Sequence, residues 1–373
     1  MGKKNFRKKL ESRVNKVYDS VEGEVEELLN QLNSPDLPGY DTTKEKMSRL
    51  HPEEKITLMD DAWEKINLSY FIDGTVKTLK VGGVEGSDNL YYPISLSQVV
   101  AAAVSCMDGN KFCKNTAIEK LYILLPNIFQ LGFEKEEIYS MCGYDWFVDD
   151  PLSGKTVEKK EVDVADFMAL RRKSITRARW LMRQSERELV TSIFKQDRNK
   201  WIVRDGTLFD ISIQTAAERD MSNIIGLSKT FTLNPWVEID GKREQIGYIQ
   251  KLVRNLKIGY RSPVYKLIPE EGREEKYTYM WFLRLHPSRF SPFDGVLKVE
   301  IPPHVIYKDE KYRVNTINGI SHAIWNWRMP YDCDIRRNVT FLYPIRVAEN
   351  AAKSLTFSIE KMNGIWMAEK SGS

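Results

Sequence analysis

NLSYFIDGTVKTLKVGGVEG, residues 67–86, is the stretch from which the fold is read. It opens on an apolar run, Leu68 to Ile72, passes through Asp73-Gly74, and then alternates through Val76, Leu79 and Val81. A continuous apolar run suits a strand buried on both faces, and alternation suits a strand with one wet face. Because Asp-Gly is a favoured hairpin dipeptide, the stretch predicts a buried strand, a turn at Asp73-Gly74, and one or two hairpin strands after it. An echo stands at 201–213, WIVRDGTLFDISI, where an apolar strand again ends on an acid followed by Gly-Thr.

Working outward, the pattern predicts helices at about 95–106 and 116–130, an exposed acidic loop over 143–165, and a long helix over 166–196. Beyond the echo it predicts a helix over 212–222, a strand in NIIGLSKTF (223–231), and an antiparallel pair from MWFLRLH (280–286) and VLKVEIP (296–302). A strand end and a last helix follow in 341–362. Strands and helices mixed along one continuous stretch predict a single α/β core with insertions. Upstream, Leu10, Val14, Val17, Val21, Val25, Leu28 and Leu32 recur at spacings of three and four. That heptad-like stripe predicts a long helix over 5–33, laid either on its own domain or against a partner, and Asn33-Ser34-Pro35 and Leu37-Pro38-Gly39 break it. The domain reading is a helical extension and linker over 1–50, then one domain over 51–373 with an insertion around 107–165.

The 373 residues and 11% aromatic content describe a chain able to bury a sizeable core. Cys106, Cys113, Cys142 and Cys333 form no CxxC pair, and His51, His286, His304 and His322 have no second ligand at useful spacing. No zinc site or disulfide scaffold is expected. The basic start, MGKKNFRKKLESR, leads into charges rather than an apolar run, and the longest apolar stretches fall short of a membrane span. A cytoplasmic protein with no membrane partner is the expectation.

Asp-Gly occurs five times, at Asp73, Asp108, Asp205, Asp240 and Asp294. Any one of them can be an ordinary turn. Asp73 and Asp205 differ from the others, since each ends a strand-like segment and precedes Gly-Thr; strand ends are where sheet proteins often hold ligands. Two-metal phosphoryl chemistry requires several carboxylates from different elements. Glu186 supplies a third candidate. On the 174–195 helix it shares the face of Ile175, Ala178, Met182, Leu189 and Ile193, while Glu188 points away. An acid on a core-facing stripe is either salt-bridged to a nearby Arg or holds a metal.

The net charge of +4 hides a local pattern. Residues 171–204 hold eleven Lys or Arg against three acids, so the rest of the chain carries four net negative charges. The basic run reads either as a solvated helix face or as a phosphate-tracking groove built around Arg179, Arg183 and Arg187, with Trp180 and Trp201 for stacking on bases.

In their order along 66–365, these pieces resemble the NurA nuclease family, whose core is ribonuclease H-like and PIWI-related. They are YFIDGT, YPISLSQVVAAAV, the helix with its inward Glu, WIVRDGTL, NIIGLSKTF, MWFLRL, LKVEIPP and FLYPIRVAEN. The resemblance implies a ribonuclease H-like mixed sheet flanked by helices. It also implies a Mn2+- or Mg2+-dependent DNA exo- and endonuclease that forms a homodimer and serves DNA end processing with a HerA-type hexameric translocase. Asp73, Glu186 and Asp205 match the metal ligands of the family, and Lys229 in GLSKT matches a Lys placed near the scissile strand. Tyr343-Pro344 matches the start of a C-terminal motif that continues to an assisting His. Here Glu349 and Asn350 stand where that His falls. Glu349 can bind a metal, whereas Asn cannot donate a proton comparably. The alternatives are a DNA-end-binding adaptor subunit with weak or no catalysis, an RNA-cutting or guide-dependent enzyme of another ribonuclease H-like branch, and a purely structural protein.

Overall fold

The computed structural model describes residues 6–25, 54–55, 65–107, 111–134, 146–152, 164–208, 223–229, 231, 235–239, 242–245, 249–268, 277–288, 291–303, 310–329 and 342–371. In chain order the strands are β1 (Lys16–Val25), β2 (Glu54–Lys55), β3 (Leu68–Glu85), β4 (Tyr91–Met107), β5 (Lys111–Leu124), β6 (Trp146–Asp149) and β7 (Trp201–Asp205). They continue as β8 (Ile224–Ser228), β9 (Trp236–Ile239), β10 (Lys242–Gln245), β11 (Tyr260–Arg261), β12 (Tyr265–Leu267), β13 (Thr278–Arg284) and β14 (Val296–Ile301). The described helices are α1 (Phe6–Glu11), α2 (Phe167–Gln196), α3 (Ile249–Asn255), α4 (Glu310–Asn326), α5 (Tyr343–Lys353) and α6 (Ile359–Ser371). Among the described residues no helix is long and apolar enough to cross a membrane.

All described strands join one mixed sheet, with the path β10-β9-β12-β13-β14-β8-β7-β3-β4-β5-β6. At its centre β3, β4 and β5 run antiparallel in sequence, and β7 and then β8 add parallel to the other side of β3. The crossover from β5 to β7 carries α2, and the remaining antiparallel half begins at β14, which pairs with β8.

β3 is a single 18-residue strand, so the expected turn at Asp73-Gly74 is absent: both residues lie in the ladder, opposite Ala102 and Ala101. Flanked by β4 on one edge and by β7 and β1 on the other, β3 is buried over most of its length, and tertiary pairing overrides the local turn preference. By contrast, Asp294-Gly295 does turn, with Gly295 at φ +74, between the paired strands β13 and β14.

The helix expected over 95–106 is the middle of β4. Its run Val99-Val100-Ala101-Ala102-Ala103-Val104 is at most 1% exposed. A strand covered on both faces has no alternation to distinguish it from a buried helix. Residues 116–124, expected as helix and assigned to an insertion, belong to β5 of the central sheet, and 126–132 form turns. Within the loop expected over 143–165, β6 pairs parallel with β5.

The long helix expected over 5–33 is also corrected. Over the described residues it is a short α1 followed by β1, whose Val-rich sequence KVYDSVEGEV pairs antiparallel with the second half of β3. Phe6 and Leu10 are buried with Leu79, Val81, Met362 and Trp366, so the N-terminal segment is part of the sheet and its core. Residues 26–33 and the helix expected over 212–222 lie outside the described residues. The expected 166–196 helix is α2, capped by Asp166, whose side chain accepts from the Ala169 amide.

Two layers cover the central strands. On one face Leu189, Val190 and Ile193 of α2 pack on Ile72, Ala101, Ala103, Ile202 and Ile224. On the other, Ile345 and Ala348 of α5 and Ile317, Ile320 and Ile324 of α4 pack on Phe71, Val104, Val203, Ile225 and Leu227. Segment 341–362 thus departs from the strand-then-helix expectation. Leu342 makes one isolated bridge to Arg328, Pro344 sits in the first turn of α5, where its missing N–H costs nothing, and α6 follows separately.

A candidate acidic site where β7 ends beside β3

The β3–β7 ladder pairs Phe71 with Val203 and Ile72 with Arg204. One further step sets Asp73 level with Asp205. Alternation puts both acids on the face of Phe71 and Val203, under α5, and puts Gly74 and Arg204 on the face of α2.

Asp73 is 7% exposed. Its carboxyl is raised well above the ordinary aspartate value, first by burial and then by the charges of Asp205 and Glu186. Glu349 adds to the rise, and Lys229 opposes it. Three acids from three other elements, β7, α2 and α5, therefore act on this one buried position of β3. Asp73 also accepts, through Oδ1, from the amide of its own Gly74 at 2.8 Å.

Each of the other acids has a cation. Asp205 pairs with Lys229 Nζ at 2.8 Å, both side chains being about one-fifth exposed. Lys229, matched by resemblance to a strand-contacting Lys, is placed just after β8 and bonded to a candidate ligand. Glu186 is 2% exposed and pairs with Arg204 Nε at 2.7 Å, so the salt-bridge alternative for Glu186 is realised. Glu349 bonds Lys353 one turn on, at 2.6 Å. Tyr343 stands in the first turn of α5, 47% exposed. It lies six residues before Glu349, about 9 Å along the axis.

Gly74 opens the passage between α2 and the strand end. A Cβ at this position would stand 2.5 Å from Glu186 Oε1 and 2.8 Å from Met182 Cγ. Only the absence of a side chain lets the glutamate reach the ladder beside Asp73. In the echo motif, glycine acts through its backbone instead. Gly206, at φ +100, turns the chain at the end of β7, and its amide donates to Leu227 O at 2.6 Å. Thr207 then bonds Glu300 at 2.8 Å, and the Leu208 amide bonds the same carboxylate at 2.9 Å.

Glu300 and Arg204 belong to the candidate site and were not singled out from the sequence. Both carried a signal, a charge within a mainly apolar strand: Arg204 beside Asp205 in WIVRD, and Glu300 two residues after Lys298 in VLKVEI. Glu300 is wholly buried, with Lys298 at 2.5 Å, and anchors the turn that follows Asp205.

Carboxylate oxygens from separate elements are the donor type that a hard divalent cation takes. Among the described residues, no three His, Cys, Asp or Glu side chains stand ready-made as a metal-coordinating group. The pairs with Lys229 and Arg204 hold two of the acids in other contacts.

The basic stretch is divided by the fold. Arg204 is buried in β7, Arg177 pairs with Asp149 at 2.6 Å, and Trp201 packs partly buried on the core. Arg172, Arg179 and Arg183 lie exposed on the outer face of α2, and Arg187 is half-buried. Trp180 is 38% exposed, with the Arg177 guanidinium 4.2 Å from its ring centroid. No protein-family model matches this chain, and no curated protein matches it.

Proposed function

We propose that the protein is a divalent-metal-dependent DNA nuclease of the NurA type on a ribonuclease H-like core. The observation that carries this reading is the placement of Asp73 and Asp205 one step past the paired Ile72 and Arg204, with Glu186 of α2 reaching the adjacent Gly74. The strand order supports it: three antiparallel strands, then two parallel additions beside the first, with a helix in the crossover. Asp73, Glu186, Asp205 and Glu349 would hold Mn2+ or Mg2+. Such an ion supplies charge neutralisation at the phosphodiester and eases ionisation of the attacking water.

The chain's own residues would divide the remaining work. Lys229, released from Asp205 once that carboxylate has another cation, would bind a phosphate oxygen. Arg179 and Arg183, with Trp180 between them, would track the backbone away from the acids. Glu349 takes the place of the family His as an additional oxygen donor, and Tyr343 would act at the rim. A cytoplasmic homodimer working with a HerA-type hexameric translocase follows from the same resemblance.

A second reading is an adaptor subunit that binds DNA ends without cutting them. It is favoured by the ion pairs that already neutralise Asp205 and Glu186. Incubating linear duplex DNA with the purified chain in Mn2+ and in EDTA separates the two. The nuclease reading expects degradation in Mn2+ alone, abolished by Asp73→Asn. Tight end binding without degradation would instead establish the adaptor.

A further inference from the structure

We propose that Arg204 is a positioning residue, whose guanidinium holds one oxygen of Glu186 so that the other faces the strand end as a ligand for a divalent cation. This rests on the metal-dependent reading of the site and names the part of the chain that prepares it.

Arg204 occupies a strand position between Val203 and Asp205 where an aliphatic side chain would suit the surrounding core. It is instead 1% exposed and paired with a carboxylate that is 2% exposed. Replacing a buried ion pair with apolar residues of similar volume is often neutral or stabilising. Stability alone is therefore a weak reason for its presence.

The geometry supplies a better one. Arg204 Nε donates to Glu186 Oε2 at 2.7 Å, and NH1 donates to Thr207 O at 3.2 Å. Two acceptors on one planar fork fix the guanidinium plane, and with it the carboxylate. The second oxygen, Oε1, then lies at the gap left by Gly74 on the α2 face of β3, one residue on from Asp73. Through Thr207 the same guanidinium is tied to the turn after Asp205, so one side chain sets Glu186 relative to that turn. A Lys at this position would keep the charge and lose the fork.

The test is a double-mutant cycle on Mn2+ affinity, measured by calorimetry on the full-length chain with Arg204→Lys, Glu186→Gln and the two combined. Arg204→Lys is expected to weaken Mn2+ binding by roughly tenfold, in the range found for groups that orient metal ligands. Combined with Glu186→Gln it should add nothing to the loss from Glu186→Gln alone. A full additive loss, or unchanged affinity in Arg204→Lys while Glu186→Gln binds weakly, would overturn the positioning role and leave the metal site standing. Unchanged affinity in both Glu186→Gln and Asp73→Asn would overturn the metal reading itself. Should Arg204→Lys fail to fold, Arg204→Met with Glu186→Gln removes both buried charges. It should bind Mn2+ as Glu186→Gln does, and weaker binding would contradict the proposal.

Discussion

Burial and the charges of three neighbouring acids resist ionisation of Asp73 and hold its carboxyl well above the ordinary aspartate value. The folded state keeps a proton that the unfolded chain has released. Stability without metal should therefore fall as pH rises from the ordinary aspartate value of 3.8 through the higher folded value. Asp73→Asn is expected to remove this decline. Urea unfolding of both proteins between about pH 4 and about pH 8 measures it as a widening difference, with the variant gaining relative stability toward the alkaline end. Mn2+ should raise the unfolding midpoint of the parent and leave that of the variant in place. Parallel curves would contradict the electrostatic account. Gly74 is the second decisive residue. Gly74→Ala places a methyl against a glutamate that Arg204 already holds. Mn2+ affinity is expected to drop by about tenfold or more, while calorimetric melting moves by no more than about 5 °C.

Helix α2 joins the site to the basic surface, burying Glu186 on one side and exposing Arg172, Arg179 and Arg183 on the other. Arg179→Ala with Arg183→Ala should reduce the slope of log DNA affinity against log salt by about 0.9 for each lost phosphate contact. Mn2+ affinity should stay as it was, and a weakened metal site would show that the two faces are not separable. This helix was legible in the sequence because its period of 3.6 survives burial on one side. The same is true of β7, β8 and the β13–β14 pair, which are short and apolar. β4 was not legible, since an Ala-Val run covered on both faces has no period to read. The N-terminal stripe misled for a related reason: spacings of three and four also occur by chance in a Val-rich strand. Of the site, Asp205 could be found as an acid on a strand end and Glu186 as an acid on a core-facing stripe, whereas Asp73, expected at a strand end, lies inside the long β3. The roles of Gly74, Arg204 and Glu300 depend on contacts between elements distant in sequence.

Across the whole molecule, the sheet brings together residues nearly 300 positions apart, from β3 to α5. Its N-terminal end is closed by α1 and β1, where Leu10 is fully buried against the core shared with α6. Leu10→Ala should lower the unfolding free energy by about 2–5 kcal/mol, as other buried Leu truncations do. Denaturant titration checks this, and a loss near zero would show that the N-terminal segment does not pack on the sheet. The charge distribution has the same layered character. Of the basic residues between 171 and 204, Arg177 is paired with Asp149 and Arg204 with Glu186, while Arg172, Arg179 and Arg183 lie exposed along α2. The central claim is that Asp73, Glu186, Asp205 and Glu349 serve one ion. The most direct measurement is an anomalous difference map from a crystal soaked in Mn2+. The expected result is a peak within about 2.0–2.6 Å of carboxylate oxygens from Asp73 and at least one of the other three acids. A peak bound elsewhere, with Lys229 and Arg204 still closed on Asp205 and Glu186, would contradict it.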